Sequence, residues 1–153
     1  SLVQDLDISE QILHIGLASN PSDPTLLNNL AYVYALSDKV EKAEQCIIRA
    51  NSNKSIPEST KLCLSATQGL LEFRKGNPDL GRILYSDVIN QTKNANYPEL
   101  NWSAIINYAR EEIQINSEYA SSAIDAVKQI TERAVDKDIT MMKQRLLKSL
   151  SKS

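Results

Sequence analysis

The sequence has little of what carries chemistry. It contains one histidine, two cysteines, four glycines and one tryptophan in 153 residues. A single His and two cysteines outside CxxC spacing supply no zinc ligand set. Cys46 and Cys63 therefore read as small helix residues with no disulfide between them, in a soluble chain of a reducing, cytoplasmic compartment. No cofactor is expected. No apolar run approaches the ~18 residues of a membrane span, and no signal-peptide pattern occurs, so no membrane partner is expected. Aromatics make up 5% of residues and β-branched alternation is nowhere sustained, which argues against strands. The formal charge is −2, with Lys and Arg dispersed among acids. Nucleic-acid binding needs a basic stripe, and none is present. The locally basic tail Lys143–Lys152 suits the negative end of a helix dipole. The chain begins Ser1-Leu2 without Met, and it is expected to be a piece of a longer protein.

What is present is helical periodicity. Ile8, Ile12 and Ile15 form one stripe over Leu6–Ala18, and Leu13, Gly16 and Leu17 form a second, so this helix expects neighbours on both sides. Asp23 caps a second helix with Pro24 in its first turn and Leu27, Leu30, Ala31 and Tyr34 inward. Asp38–Glu41 reads as a capping box opening a third, with Val40, Ala43, Ile47 and Ala50 inside. Ser55 caps a fourth that carries Leu62, Ala66, Gly69 and Phe73 and stops at Gly76. Asn77-Pro78 opens a fifth with Leu80, Leu84 and Val88 on one stripe and Gly81 and Tyr85 beside it. Asn96 caps a sixth, with Trp102, Ile105, Ile106, Ala109 and Ile113 inward; Trp102 is expected to plug the gap between the second and third repeats. Asn116-Ser117 starts a seventh, with Ala120, Ala123, Ile124, Val127, Ile130 and Ala134 inward. After Asp136-Lys137-Asp138 an eighth carries Ile139, Met142, Leu146 and Leu150, with Lys143, Gln144, Arg145 and Lys148 outward.

Three helices open with one phrase: SDPT at Ser22–Thr25, SIPE at Ser55–Glu58 and NYPE at Asn96–Glu99. Small residues recur at the expected crossing points: Ala31 and Ala43, Gly69 and Gly81, Ala109 and Ala120. A small side chain there lets antiparallel helices approach closely. A helix pair repeated along a chain cannot bury its apolar face alone, so the expectation is a stacked all-α solenoid in a single domain over residues 1–153. Its parts are a half repeat at 6–21, repeats at 22–54 and 55–95, a degenerate repeat at 96–136 and a capping helix at 138–151.

The first full unit resembles a tetratricopeptide repeat. Leu27, Leu30-Ala31, Tyr34, Ala43, Ile47 and Ala50 occupy that family's signature places, and Pro21 sits where a preceding unit closes. Ser9, Leu13 and Gly16 match a second helix whose own first helix is absent, so the stack is expected to begin before Ser1. The next unit matches at Gly69, Gly76-Asn77, Gly81 and Tyr85 and departs at Glu72 and Val88. The third fits at Ala109, Ala120, Ile124 and Val127 but not at Tyr108 or Glu112. The resemblance covers roughly Ile8–Val135 and implies a right-handed α-α superhelix of about three helix pairs.

It also implies a function: a protein-interaction scaffold that holds a partner peptide or helix in a concave groove lined by the first helix of each pair. By position that groove presents Asn28, Asn29 and Tyr32, then Thr67, Leu70, Phe73 and Arg74, then Asn107 and Arg110. Leu36, Cys63, Ala66 and Gln114 lie on the same faces. An Asn amide both donates and accepts, which suits a peptide backbone, and Tyr and Arg are frequent interface anchors. The bland alternative is that the Asn residues are solvated and that Leu70 and Phe73 are packing. Some family members clamp a chaperone C-terminus; Asn29 matches that clamp's Asn, but Asn28 stands where its Lys would be, so this ligand is not expected.

An enzyme is not expected. His14 has no Ser or Cys partner that sequence can place near it. Glu111-Glu112 and Asp136/Asp138 read as solvated faces, and Gly76-Asn77-Pro78 as a cap rather than a phosphate loop. The alternative function is a structural or self-associating region of a larger, possibly enzymatic, protein, with homodimerisation through the apolar face of Leu6–Leu17.

Overall fold

The computed structural model describes residues 2–130 and 137–151. Among them the chain is all-helical: α1 (Leu2–Ser19), α2 (Pro24–Leu36), α3 (Val40–Asn51), α4 (Glu58–Arg74), α5 (Pro78–Asn94), α6 (Pro98–Gln114), α7 (Ala120–Lys128) and α8 (Lys137–Leu150). Ala134, Val135 and Asp136, assigned above to the seventh helix and its link, lie outside the described residues. The chain forms two compact units, Ser1–Leu84 and Tyr85–Ser153, divided inside α5.

In the first unit α2 is the central helix. Leu27, Leu30, Ala31 and Tyr34 are all buried, as their spacing requires, and so are Ala43, Ile47 and Ala50 on α3. Asp23 caps α2 as expected, accepting from the backbone N–H of Thr25 at 2.9 Å and of Leu26 at 3.0 Å. Against α1, α2 runs antiparallel: Gly16 lies under Leu26, His14 meets Tyr34 and Glu10 meets Lys39. Against α4 it runs parallel. Thr25 meets Thr60 near the N-terminal ends, Thr67 Oγ1 donates to Asn28 Oδ1 at 2.8 Å, and Arg74 reaches the Ala35 and Leu36 carbonyls at the C-terminal ends. The partners in these contacts are 35 to 39 residues apart.

Gly69 and Gly81 meet as the crossing rule demands. A Cβ on Gly81 would lie 2.5 Å from the Phe73 ring and 3.0 Å from the Gly69 carbonyl. That contact turns α5 so that Gly81, Tyr85 and Val88 face inward and Leu80, expected inside, is exposed. On α4, Leu64, Leu70 and Leu71 are buried besides Leu62 and Phe73, so the apolar arc is wider than one stripe.

The second unit is centred on α6, which packs on α7 and α8. Ile106, Ala109, Ala123, Val127, Ile130, Ile139 and Leu146 form its core. Trp102, assigned above to a gap between repeats, packs at the edge of this cluster. Lys143, expected on the outer face of α8, is instead buried, with Nζ donating to the Ile130 carbonyl at 2.7 Å. Its long stem covers apolar surface while its ammonium group reaches a carbonyl just past the end of α7.

Four helix ends share one device. Asp38, Gly76, Asn96 and Asn116 adopt positive φ, between 51° and 86°. In each case the next N–H bonds back across six residues: Lys39 to Tyr34, Asn77 to Glu72, Tyr97 to Thr92 and Ser117 to Glu112, at 2.8–3.1 Å. The left-handed residue itself bonds to Ala35, Phe73, Lys93 or Ile113, which completes a Schellman motif. This corrects three expected N-caps. Asp38, Asn96 and Asn116 end the preceding helix, since Asp and Asn tolerate the left-handed region. The helices that follow begin behind Lys39, Tyr97 and Tyr119, with no side-chain cap. Ser55 is likewise not the cap of α4; Pro57 holds that position without a side-chain bond.

Candidate functional site

The residues proposed for a concave groove fall in both units and have different fates. Asn28 is buried, and its carbonyl oxygen accepts from the buried Thr67 hydroxyl. That bond satisfies both groups inside the α2–α4 interface. Leu70 is 0% exposed and Phe73 5%, so both are packing rather than surface. Arg74 ties α4 to the end of α2, reaching the Asp38 carboxylate at 3.0 Å as well as two carbonyls. In the second unit Asn107 is buried with its amide donating to Ser103 Oγ at 3.4 Å, and Arg110 Nε donates to Glu111 at 3.0 Å. Asn29 is exposed and Tyr32 half-buried, and these two keep surface on α2. Most of the expected groove lining is therefore taken up by packing and hydrogen bonds, between α4 and α2 in the first unit and within α6 in the second.

Glu111-Glu112 is not a solvated face. Glu111 and Glu112 are 2% and 0% exposed. Glu112 accepts from the Tyr108 hydroxyl at 2.5 Å and from Ser117 Oγ at 2.9 Å. Glu72, forty residues earlier on α4, accepts from Gln68 and Asn77, each at 2.9 Å. Burial pushes the Glu72 carboxyl up, but those two amides and the Lys75 ammonium group outweigh it and hold the carboxyl below the usual carboxylate range. Glu72 and Glu112 each anchor the turn behind its helix.

His14 sits in a small polar cluster between α1 and α2. Its Nε2 lies 3.2 Å from the Tyr34 hydroxyl and 3.6 Å from Glu10, which also meets Lys39 at 3.4 Å. Burial, then the Glu10 charge, raises the Tyr34 phenol to about 12, which leaves it protonated and a poor proton donor or acceptor near neutrality. Burial would raise the Glu10 carboxyl, yet Lys39 with Tyr34 and His14 keeps it low. The cluster fastens α1 to α2. Burial raises the thiols of Cys46 and Cys63, both free, which suppresses the reactive thiolate. Among the described residues no three His, Cys, Asp or Glu side chains group so as to hold a metal ion, and no helix is long and apolar enough to cross a membrane.

Two surface features remain. The Ile8, Ile12 and Ile15 stripe of α1 is open to solvent, at 55%, 62% and 72% exposure, while Leu13 and Leu17 on the other side turn toward α2. The second is a cleft of about 570 Å³ in the first unit, between the end of α3, its link to α4, α4 itself and Leu84. Sequence reading found the stripe and missed the cleft, whose one legible sign was a pair of lysines, Lys54 and Lys61, flanking the SIPE phrase. No protein-family model, curated protein or solved structure matches this chain.

Proposed function

We propose that this chain is a non-catalytic interaction module built from tetratricopeptide-like helix pairs stacked as a right-handed solenoid, and that it docks a helix of a protein partner on the outer face of α1. The stacking part is supported by the parallel, one-repeat register of α2 and α4. The docking part rests on one observation, the three-isoleucine stripe. Its spacing, four residues then three, is that of a helix–helix seam. Single side chains such as Ile48 and Ile83 are as exposed, but these three adjoin on one face, and contiguous apolar patches mark interaction sites.

Charge selects the occupant. The first 38 residues carry five acids (Asp5, Asp7, Glu10, Asp23 and Asp38) and no Lys or Arg. Glu10 is matched by Lys39, whereas the exposed Asp5 and Asp7 form no ion pair among the described residues. Two copies of α1 would bring acid-only helices together. A cationic amphipathic helix gains both the apolar contact and the charge match.

A synthetic helix of leucine and lysine at heptad spacing is the direct probe. Ile12→Asp should weaken its binding about tenfold or more while leaving the melting temperature within a few degrees. Sedimentation of the chain alone gives the other reading: mass that grows with concentration, and stops growing in Ile12→Asp, would assign the face to homodimerisation.

A further inference from the structure

The cleft in the first unit carries an inference independent of what covers α1. One wall is aliphatic: Ile47 and Leu64 are buried, and Ile56 and Leu84 are half-buried beside them. The rim carries Lys54 and Lys61, both exposed. Neither ammonium group has an ion-pair partner among the described residues; Glu58, one turn before Lys61, does not reach it. Charges of one sign at an apolar cleft attract the opposite sign and concentrate it there. At about 570 Å³ the cleft lies within the range of ligand-binding pockets.

Its polar lining narrows the ligand further. Gln68 spends Nε2 on Glu72, which leaves its Oε1 to accept, and the Ser65 hydroxyl can donate or accept. Asn53 bonds the Ser22 and Ala50 carbonyls and so fixes the link that forms the rim. Paired acceptor and donor groups suit an extended backbone, whose N–H and C=O are free; a helix keeps those groups for itself.

We propose that this cleft binds an extended acidic segment of a partner protein, with one aliphatic side chain against Ile47 and Leu64 and carboxylates at Lys54 and Lys61. Recognition is by charge and shape and involves no covalent step. The segment lies on a different surface from α1, so the two sites are separable.

The test is an NMR titration of the full chain with a capped peptide alternating glutamate and leucine. Amide shifts at Lys54, Lys61, Ser65 and Gln68 are expected, fading as salt is raised. The Lys54→Glu/Lys61→Glu double variant should bind about tenfold more weakly and prefer the lysine–leucine version of the peptide. Both lysines are exposed and unpaired, so its melting temperature should be unchanged. Four results overturn the proposal: shifts confined to other surfaces, binding untouched by the double reversal, no shifts at millimolar peptide, or equal binding of free octanoate. The last would make the ligand a small aliphatic acid instead of a peptide.

Discussion

The end of α4 in the first unit and the end of α6 in the second are the same structure made from different residues. Each places a buried glutamate four residues before a left-handed residue and five before the donor that closes the turn: Glu72, Gly76 and Asn77, then Glu112, Asn116 and Ser117. Each glutamate also takes a hydrogen bond from one turn back, an amide at Gln68 in the first and a phenol at Tyr108 in the second. The first carboxylate has Lys75 at 3.5 Å, itself held by Glu44, whose hydrogen bond raises the Lys75 ammonium group. What is kept is the backbone geometry and a charge that receives donors; the chemical identity of those donors drifts.

The largest expected effect separates the two ends. Glu112→Ala leaves the half-buried Tyr108 and Ser117 hydroxyls without a carboxylate that is itself closed to water, and should cost about 2–4 kcal/mol. Glu72→Ala should cost less, about 1–3 kcal/mol, because Asn77 is exposed and Gln68 half-buried and both amides can turn to water. Chemical denaturation of both variants checks the order, and equal losses would mean that burial of the donors does not matter. Helix crossings offer a second contrast. Gly81→Ala drives a methyl into Phe73 and the Gly69 carbonyl and should lose about 1–3 kcal/mol. Ala109→Gly in the second unit creates only a methyl-sized gap and should lose about 1 kcal/mol, mostly from helix propensity.

Acid should sharpen the comparison at Glu72. Its folded carboxyl titrates below its unfolded value, so the stability it contributes is full above the ordinary carboxylate range. It is lost as pH falls through the folded value. Glu72→Gln should therefore flatten the acid limb of a melting-temperature profile relative to wild type. The smallest effects belong to the left-handed residues. Gly76→Ala should cost about 1 kcal/mol at its φ of 86°, whereas Asn116→Gly should be neutral or slightly stabilising, read by thermal melts.

Periodicity made the helices and most of the core legible. The α2 stripe, the Gly69–Gly81 crossing and the Asp23 cap could all be read from spacing alone. The turns were misread because Asp and Asn serve both as N-caps and as left-handed terminators, and the two roles sit within three residues of each other. Only the six-residue return bond separates them at Asp38, Asn96 and Asn116. The groove was misread for a related reason. A position on a helix says which way a side chain points, but not whether a neighbour such as Thr67 opposite Asn28 has already claimed it. Lys143 and Glu112 look like surface charges by type, and they are inside because each meets groups that only the folded chain brings near.

The docking of a cationic helix on α1 is tested most directly by hydrogen–deuterium exchange of the full chain, alone and saturated with the leucine–lysine helix. Slowed exchange across α1, absent in Ile12→Asp, is the expected result. Unchanged exchange in α1 at saturation, or protection that survives Ile12→Asp, would contradict it.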